Sequence, residues 1–232
     1  MNKYLTHVLL ISIFLMSCEA LFSQDISNVK VFYNKHMKSL KDTSGAAPKQ
    51  LKDLSYILIA NSTESTFAFE KRMDMDNFSN KRHIGRSGGD GLYYKNIKTK
   101  EKLHQKKYGG KLFLISYDVN TYNWKIHKEY KIIGKYKCYK ASTSYSFHSK
   151  LMDKTYQVNI TAWFTPEISV PFGPAGYDGL PGLVLEAQIG GYYFVASKIE
   201  LNAKKVTIEK PEKGKKVTNK EYDDIVQNSI DN

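Results

Sequence analysis

From Tyr156 to Phe164 every second residue is apolar (Tyr156, Val158, Ile160, Ala162, Phe164), and the residues between them are mostly polar. A two-residue period places the apolar set on one face of an extended strand, a pattern no helix can use. Trp163 breaks the polar face and asks for a partner of its own. The same period runs through Tyr122, Trp124 and Ile126, and through Phe67, Phe69, Met73 and Met75 across a predicted strand pair. Stretches rich in Val, Ile, Tyr and Phe over 26–33, 54–60, 111–117, 130–144, 183–189 and 192–201 supply further strands. Gly190-Gly191 reads as the two-residue turn joining the last two. No helical period alternates with these strands, so a doubly wound parallel sheet is excluded, and the expectation is a mainly β, largely antiparallel α+β fold.

The chain has 232 residues, enough for one sizeable core. Its only long apolar run, Val8 to Met16, follows Lys3 and precedes small and polar residues. That order reads as a secretory signal peptide over residues 1–23, too short for a comfortable membrane span and leaving none in the mature chain. Cleavage after Ser23 is expected, with lipidation at Cys18 as the rival, since Leu15-Met16-Ser17-Cys18 is a loose lipobox. The β domain is then expected over 24–203, followed by a Lys-rich linker and a short helix within 204–232. The linker, Lys210 to Lys216, has no apolar period and is expected to be exposed. Thr218-Asn219-Lys220-Glu221 matches a capping box and opens a helix to about Asn228.

Cys138 is the sole cysteine left after signal removal, so neither a disulfide nor a thiolate metal centre is expected, and a small buried hydrophobe is the reading. The histidines are isolated, no Gly-x-Ser-x-Gly elbow occurs, and neither a catalytic set nor a metal or other cofactor is called for. Arg86 to Gly91 has three glycines but lacks the Gly-Lys-Ser/Thr ending of a phosphate loop, so it reads as a flexible hairpin turn. The net charge is +12, and removing residues 1–23 takes one base and one acid and leaves it unchanged. Thirteen lysines against three acids lie between Lys95 and Lys140. They are expected to form a solvated face that protects strand edges, or to attract an anionic envelope ligand or partner; nucleic acid is not expected.

Residues 163–186 hold four of the six prolines and four of the fifteen glycines, which specifies a rigid path with several turns. It reads as a corner closing the sheet, or as the lip of a ligand site. The candidate loop residues are Trp163, Pro166, Glu167, Gly173, Pro174, Asp178, Gly179, Leu180, Pro181, Gly182, Leu183 and Glu186, with Glu167, Asp178 and Glu186 as polar anchors. Leu180, Pro181, Leu183 and Leu185 are expected to be mostly buried.

Gly179-Leu180-Pro181-Gly182-Leu183-Val184 resembles the signature of the GLPGLI family of exported Gram-negative envelope proteins, with Val184 in place of the final isoleucine. Trp124, Lys131 to Ala141, Ala162 to Ile168 and Gly173-Pro174 carry the resemblance across most of the mature chain. It implies a curved antiparallel sheet forming a bowl or open barrel, similar to the N-terminal domain of one bacterial peptide-N-glycosidase and, more distantly, to lipoprotein carriers. The family's molecular function is unassigned, and no catalytic residues come with the signature. The expectation is a periplasmic or outer-membrane-associated binding domain for an envelope protein or a hydrophobic or anionic ligand. A hydrolase of envelope polymers, using carboxylates near the loop, is the alternative.

Overall fold

The computed structural model describes residues 27–39, 44–70, 83–86, 88–149, 152–204 and 206–229. The segment read as a signal peptide, Cys18, Met73, Met75 and Ser87 lie outside them. Twelve strands build one curved sheet: β1 (Val29–Met37), β2 (Lys49–Ala60), β3 (Glu64–Phe69), β4 (Leu92–Asn96), β5 (Glu101–Tyr108), β6 (Lys111–Ser116), β7 (Lys125–Ile133), β8 (Tyr136–Ser149), β9 (Lys154–Thr165), β10 (Leu183–Ile189), β11 (Tyr192–Leu201) and β12 (Lys215–Thr218). One α-helix among the described residues, α1 (Asn219–Asn228), follows. The sheet order is β12-β6-β5-β4-β3-β2-β1-β11-β10-β9-β8-β7. The mainly β fold, the open curved sheet and the short C-terminal helix are as expected.

β1 lies near the middle of the sheet and shows why it forms. Val29, Val31 and Tyr33 face inward with no exposure, and the intervening residues are partly exposed. The Tyr33 hydroxyl donates to the Val184 carbonyl at 2.6 Å and ties this strand to β10. The curvature has local causes. The β1 and β11 register shifts between Phe32 and Tyr33, the β9 and β10 register between Val184 and Glu186, and the β7 and β8 register between Ile126 and Tyr130. Each extra residue bends and twists its strand. Tyr33, Tyr56, Phe67 and Phe194 form the aromatic centre of the concave core, with Tyr56 stacked on Phe67 at 5.5 Å.

Three departures from the sequence reading concern the course of the chain. The expected strand over 130–144 is two strands, because Gly134, at φ +60°, turns the chain between Ile133 and Tyr136. The Lys-rich linker is not simply exposed. Pro211 and Val217 are buried, and Lys215–Thr218 pairs with β6 in the only parallel ladder among the described strands. Finally, Arg86 to Gly91 is not a tight hairpin turn. It ends a long connection between the adjacent strands β3 and β4 and packs over the concave face.

The capping box is formed as read: the Thr218 hydroxyl accepts from the Glu221 N–H, and the Glu221 carboxylate accepts from the Thr218 N–H. Tyr222 packs on Phe113 and so seats α1 against β6. Cys138 is fully buried, and burial pushes its thiol up to about 11, which keeps it protonated and inert. No helix among the described residues is long and apolar enough to cross a membrane, which says nothing about spanning by strands.

Candidate functional site

The concave face holds a cavity of about 240 Å³ between β3, β4, β5, the segment around Thr121 and the loop from Gly173 to Asp178. Its floor is an ion cluster. Asp178, 5 % exposed, accepts from the Lys95 ammonium at 2.6 Å and lies 3.2 Å from that of Lys102. Lys95 also donates to the Val119 carbonyl at 3.0 Å, and Lys102 to that of Gly176 at 2.9 Å. An ammonium carries three N–H donors, so Lys95 keeps one beyond these two partners, while Lys102 also lies 3.4 Å from the second Asp178 oxygen. The Lys102 Nζ also sits 4.9 Å from the centre of the Tyr122 ring. Burial lowers the Lys102 ammonium from its ordinary value, Asp178 opposes that, and Lys95 adds to it.

The main chain of Asp178 is pinned as well, because the Trp124 indole N–H donates to its carbonyl at 2.9 Å. The walls are aromatic. Tyr93 stacks on His104 at 3.8 Å, and Tyr122 packs against Tyr177 at 5.6 Å. Burial raises the Tyr93, Tyr117 and Tyr122 hydroxyls, so all three are neutral at pH 7. Burial also pulls His104 down to about 4, and its Nε2–H faces the Asp90 carbonyl at 2.7 Å. At the rim Lys106 and Asp90 pair at 2.9 Å and cancel. Two buried ammoniums against one buried carboxylate therefore leave the floor with one net positive charge.

A third buried cation supports the same region. Lys35, with no exposed surface, continues the inward phase of β1. Its ammonium reaches the carbonyls of His83, Ile84, Arg86 and Gly88 at 2.5–2.9 Å. Its other side rests on the rings of Tyr56, Tyr192 and Phe194 at 4.8–5.5 Å. Burial draws this ammonium down to about 7, with Asp90 pushing back. The cage holds the segment from His83 to Gly88 against the sheet, and that segment carries Gly85, Gly88 and Asp90 to the cavity.

The loop residues singled out in the sequence divide into three groups. Gly173 and Asp178 line the cavity, and the buried Pro174 starts the short 3-10 turn beside them. Gly179 to Leu183 does not line it. There Leu180 and Leu183 enter the core, while Pro181 is exposed, contrary to the expected burial. The Gly182 N–H closes on the Leu180 carbonyl at 2.8 Å, and Pro181 sits at the exposed apex of that turn. Gly182, at φ +143°, leaves no room for a side chain, since a Cβ would stand 2.1 Å from the Thr165 carbonyl oxygen. Gly179, at φ +87°, faces open space.

Trp163, Pro166, Glu167 and Glu186 form the third group, away from the cavity. Trp163 lies on the face of β9 opposite Ala162 and Phe164, under the Lys131 ammonium at 4.4 Å, and Glu186 pairs with Lys131 at 2.7 Å. This accounts for an aromatic residue on an otherwise polar face. Glu167 and Pro166 are exposed, and Glu167 accepts from the Lys137 N–H at 2.8 Å. The three carboxylates thus have three separate sets of partners, with only Asp178 on the cavity. Among the described residues no group of three His, Cys, Asp or Glu side chains is arranged to hold a metal ion.

The reading of the Lys95–Lys140 segment as a solvated face is corrected at its start, because Lys95 and Lys102 point inward. Lys35, Lys95, Lys102 and His104 were not anticipated. For Lys35 the signal was present, since it is in phase with Val29, Val31 and Tyr33. In β5 the apolar Leu103 points to the opposite face from Lys102 and His104, so alternation alone selects the wrong side.

Residues 146–186 match a family model described as a protein of unknown function, Porph_ging. That stretch runs from the end of β8 through the cavity loop to Glu186. No curated protein matches the chain. Two crystal structures of PNGF-II, in space groups C2 and P21, align over 87 % and 88 % of this chain at 18 % and 16 % identity, each with a TM-score of 0.56. They share its fold, and the alignment covers only 33 % and 34 % of the PNGF-II chains. The structure of LprF from Mycobacterium bovis aligns over 82 % of this chain and 95 % of its own at 14 % identity, with a TM-score of 0.28, too low to bear on the fold.

Proposed function

We propose that this chain is an exported, non-enzymatic cell-envelope protein, periplasmic or associated with the outer membrane, whose concave β face holds a small ligand in the cavity above Asp178. The observation that carries the reading is an aromatic-walled cavity over a buried, rigidly held ion cluster. Preformed concave sites with a few convergent polar groups are where small molecules bind. The volume of about 240 Å³ suits a small polar molecule better than a lipid chain. A hydrolytic role for the loop carboxylates loses its basis, because acid and base must flank one bond and Glu167 and Glu186 lie elsewhere.

Native mass spectrometry of the protein recovered from envelope extract tests the reading. A stoichiometric small molecule is expected, and Thr121→Trp, which fills the cavity from an exposed position, should abolish it. Recovery of the protein with no bound molecule, or with one that Thr121→Trp leaves in place, overturns it. Export is tested separately by the mass of the mature N-terminus: Gln24 is expected, and a diacylglyceryl-Cys18 would replace a free protein by an anchored one.

A further inference from the structure

We infer that the ligand of this cavity is a small ring-bearing carboxylic acid, its carboxylate held between the Lys95 and Lys102 ammoniums and its ring against the tyrosine wall. This rests on the cavity being a ligand site and names the class of ligand.

Two observations select the charge. Both ammoniums touch the same Asp178 carboxylate and are therefore close neighbours, so their repulsion is only half relieved. The rim pair cancels and the buried phenols and His104 are neutral, which leaves a single excess positive charge among the buried groups, with only the exposed Asp118 to offset it. One monoanion makes the cluster two against two. Burying an uncompensated charge costs several kcal/mol, so the cavity favours a ligand that removes it.

The donors select the carboxylate. Lys95 has one N–H beyond its two protein partners, and Lys102, divided between both Asp178 oxygens at 3.2 and 3.4 Å, can turn one N–H from them to an incoming carboxylate, so that each oxygen of the ligand meets one ammonium. A phosphate dianion would leave the site negative and has four oxygens to satisfy, three of them unprotonated. The space selects the size, since about 240 Å³ equals ~8 water molecules at ~30 Å³ each. Tyr93, Tyr117 and Tyr122 supply faces on which either an aromatic or a sugar ring can lie, with neutral hydroxyls for the ring's polar groups.

Chemical-shift titration of the purified protein tests this with benzoate and glucuronate as the acids, benzamide and glucose as their neutral counterparts, and inorganic phosphate. At least one acid is expected to perturb cavity residues and to bind about tenfold or more tightly than its neutral counterpart, the worth of one charge-assisted hydrogen bond. Benzoate alone indicates an aromatic acid, and glucuronate alone an acidic sugar. Lys102→Met should remove that preference while neutral binding persists, and Lys102→Arg should restore part of it. If Lys102→Met does not fold, Lys95→Met and the comparison within the wild-type protein carry the test. Equal binding of acids and neutral counterparts, no binding of either acid, or tighter binding of phosphate overturns the inference. Equal binding leaves the cavity a ligand site, whereas an unoccupied protein from envelope extract removes the site itself.

Discussion

The molecule buries lysine in two ways, and the contrast separates scaffold from site. At Lys35 the ammonium is surrounded by four backbone carbonyls and three rings, with more acceptors than it has protons. At Lys95 and Lys102 two ammoniums share one carboxylate in the wall of a cavity. A saturated cation fastens a loop and does nothing further. A pair short of one negative charge is what the proposed ligand would complete.

The largest effect expected from breaking this contrast is at Asp178. Asp178→Asn leaves two buried ammoniums facing a neutral amide and should cost about 3–5 kcal/mol in chemical denaturation. Adding Lys102→Met should recover part of that loss, because the second charge is then gone. Lys35→Met should cost about 2–4 kcal/mol, since the loop carbonyls lose their common donor. Hydrogen exchange should show the loss confined at first to residues 83–91, and no carboxylate replacement elsewhere should rescue it. Rescue of Lys35→Met by a change at Asp178 would show that the two sites are one network.

The loop that delivers Asp178 gives a sharper pair. Gly182→Val meets both an unfavourable backbone region and the Thr165 carbonyl, so about 3 kcal/mol or more is expected in a thermal melt. Gly179→Val meets only the first and should cost about 1–2 kcal/mol. Equal losses would mean that the close approach to Thr165 is not maintained in solution.

His104 links the two regions, since it stacks on Tyr93 in the cavity wall and donates to Asp90 in the caged segment. The unfolded imidazole takes up a proton near 6.5 and the folded one resists until about 4. Its contribution is therefore complete above about pH 6.5 and is lost as the pH falls from there to about 4, on the order of 3 kcal/mol. His104→Gln should flatten that part of the stability curve. A wild-type curve already flat between those values would show the ring reaching water.

Much of the sheet was legible because its residues obey a local rule. Over 183–189, 192–201 and 111–116 the β-branched and aromatic content, and at 190–191 the turn glycines, point to the strands found, and Thr218 with Glu221 announced the helix. Where the rule was silent the reading failed. Lys215–Thr218 has no apolar period, and it is a strand only because the edge of β6 lies beside it with unpaired backbone groups to satisfy. The turn at Gly134 hid inside a run of strand-forming residues, and the lysine-rich β5, with Leu103 as its one aliphatic residue, was not read as a strand. Of the candidate loop, the half containing Gly173 and Asp178 reached the cavity, while the half carrying the Gly-Leu-Pro-Gly motif went to the core and the surface.

By itself, then, the sequence determined that this chain builds an antiparallel sheet with a rigid Pro/Gly loop and a capped helix, because period, turn chemistry and capping act between residues a few positions apart. Only the tertiary structure decided which lysines are surface and which are site. Asp178 lies 83 and 76 positions from Lys95 and Lys102. Lysine is buried when long-range folding brings it a carboxylate or a set of carbonyls, and no local pattern encodes that partner.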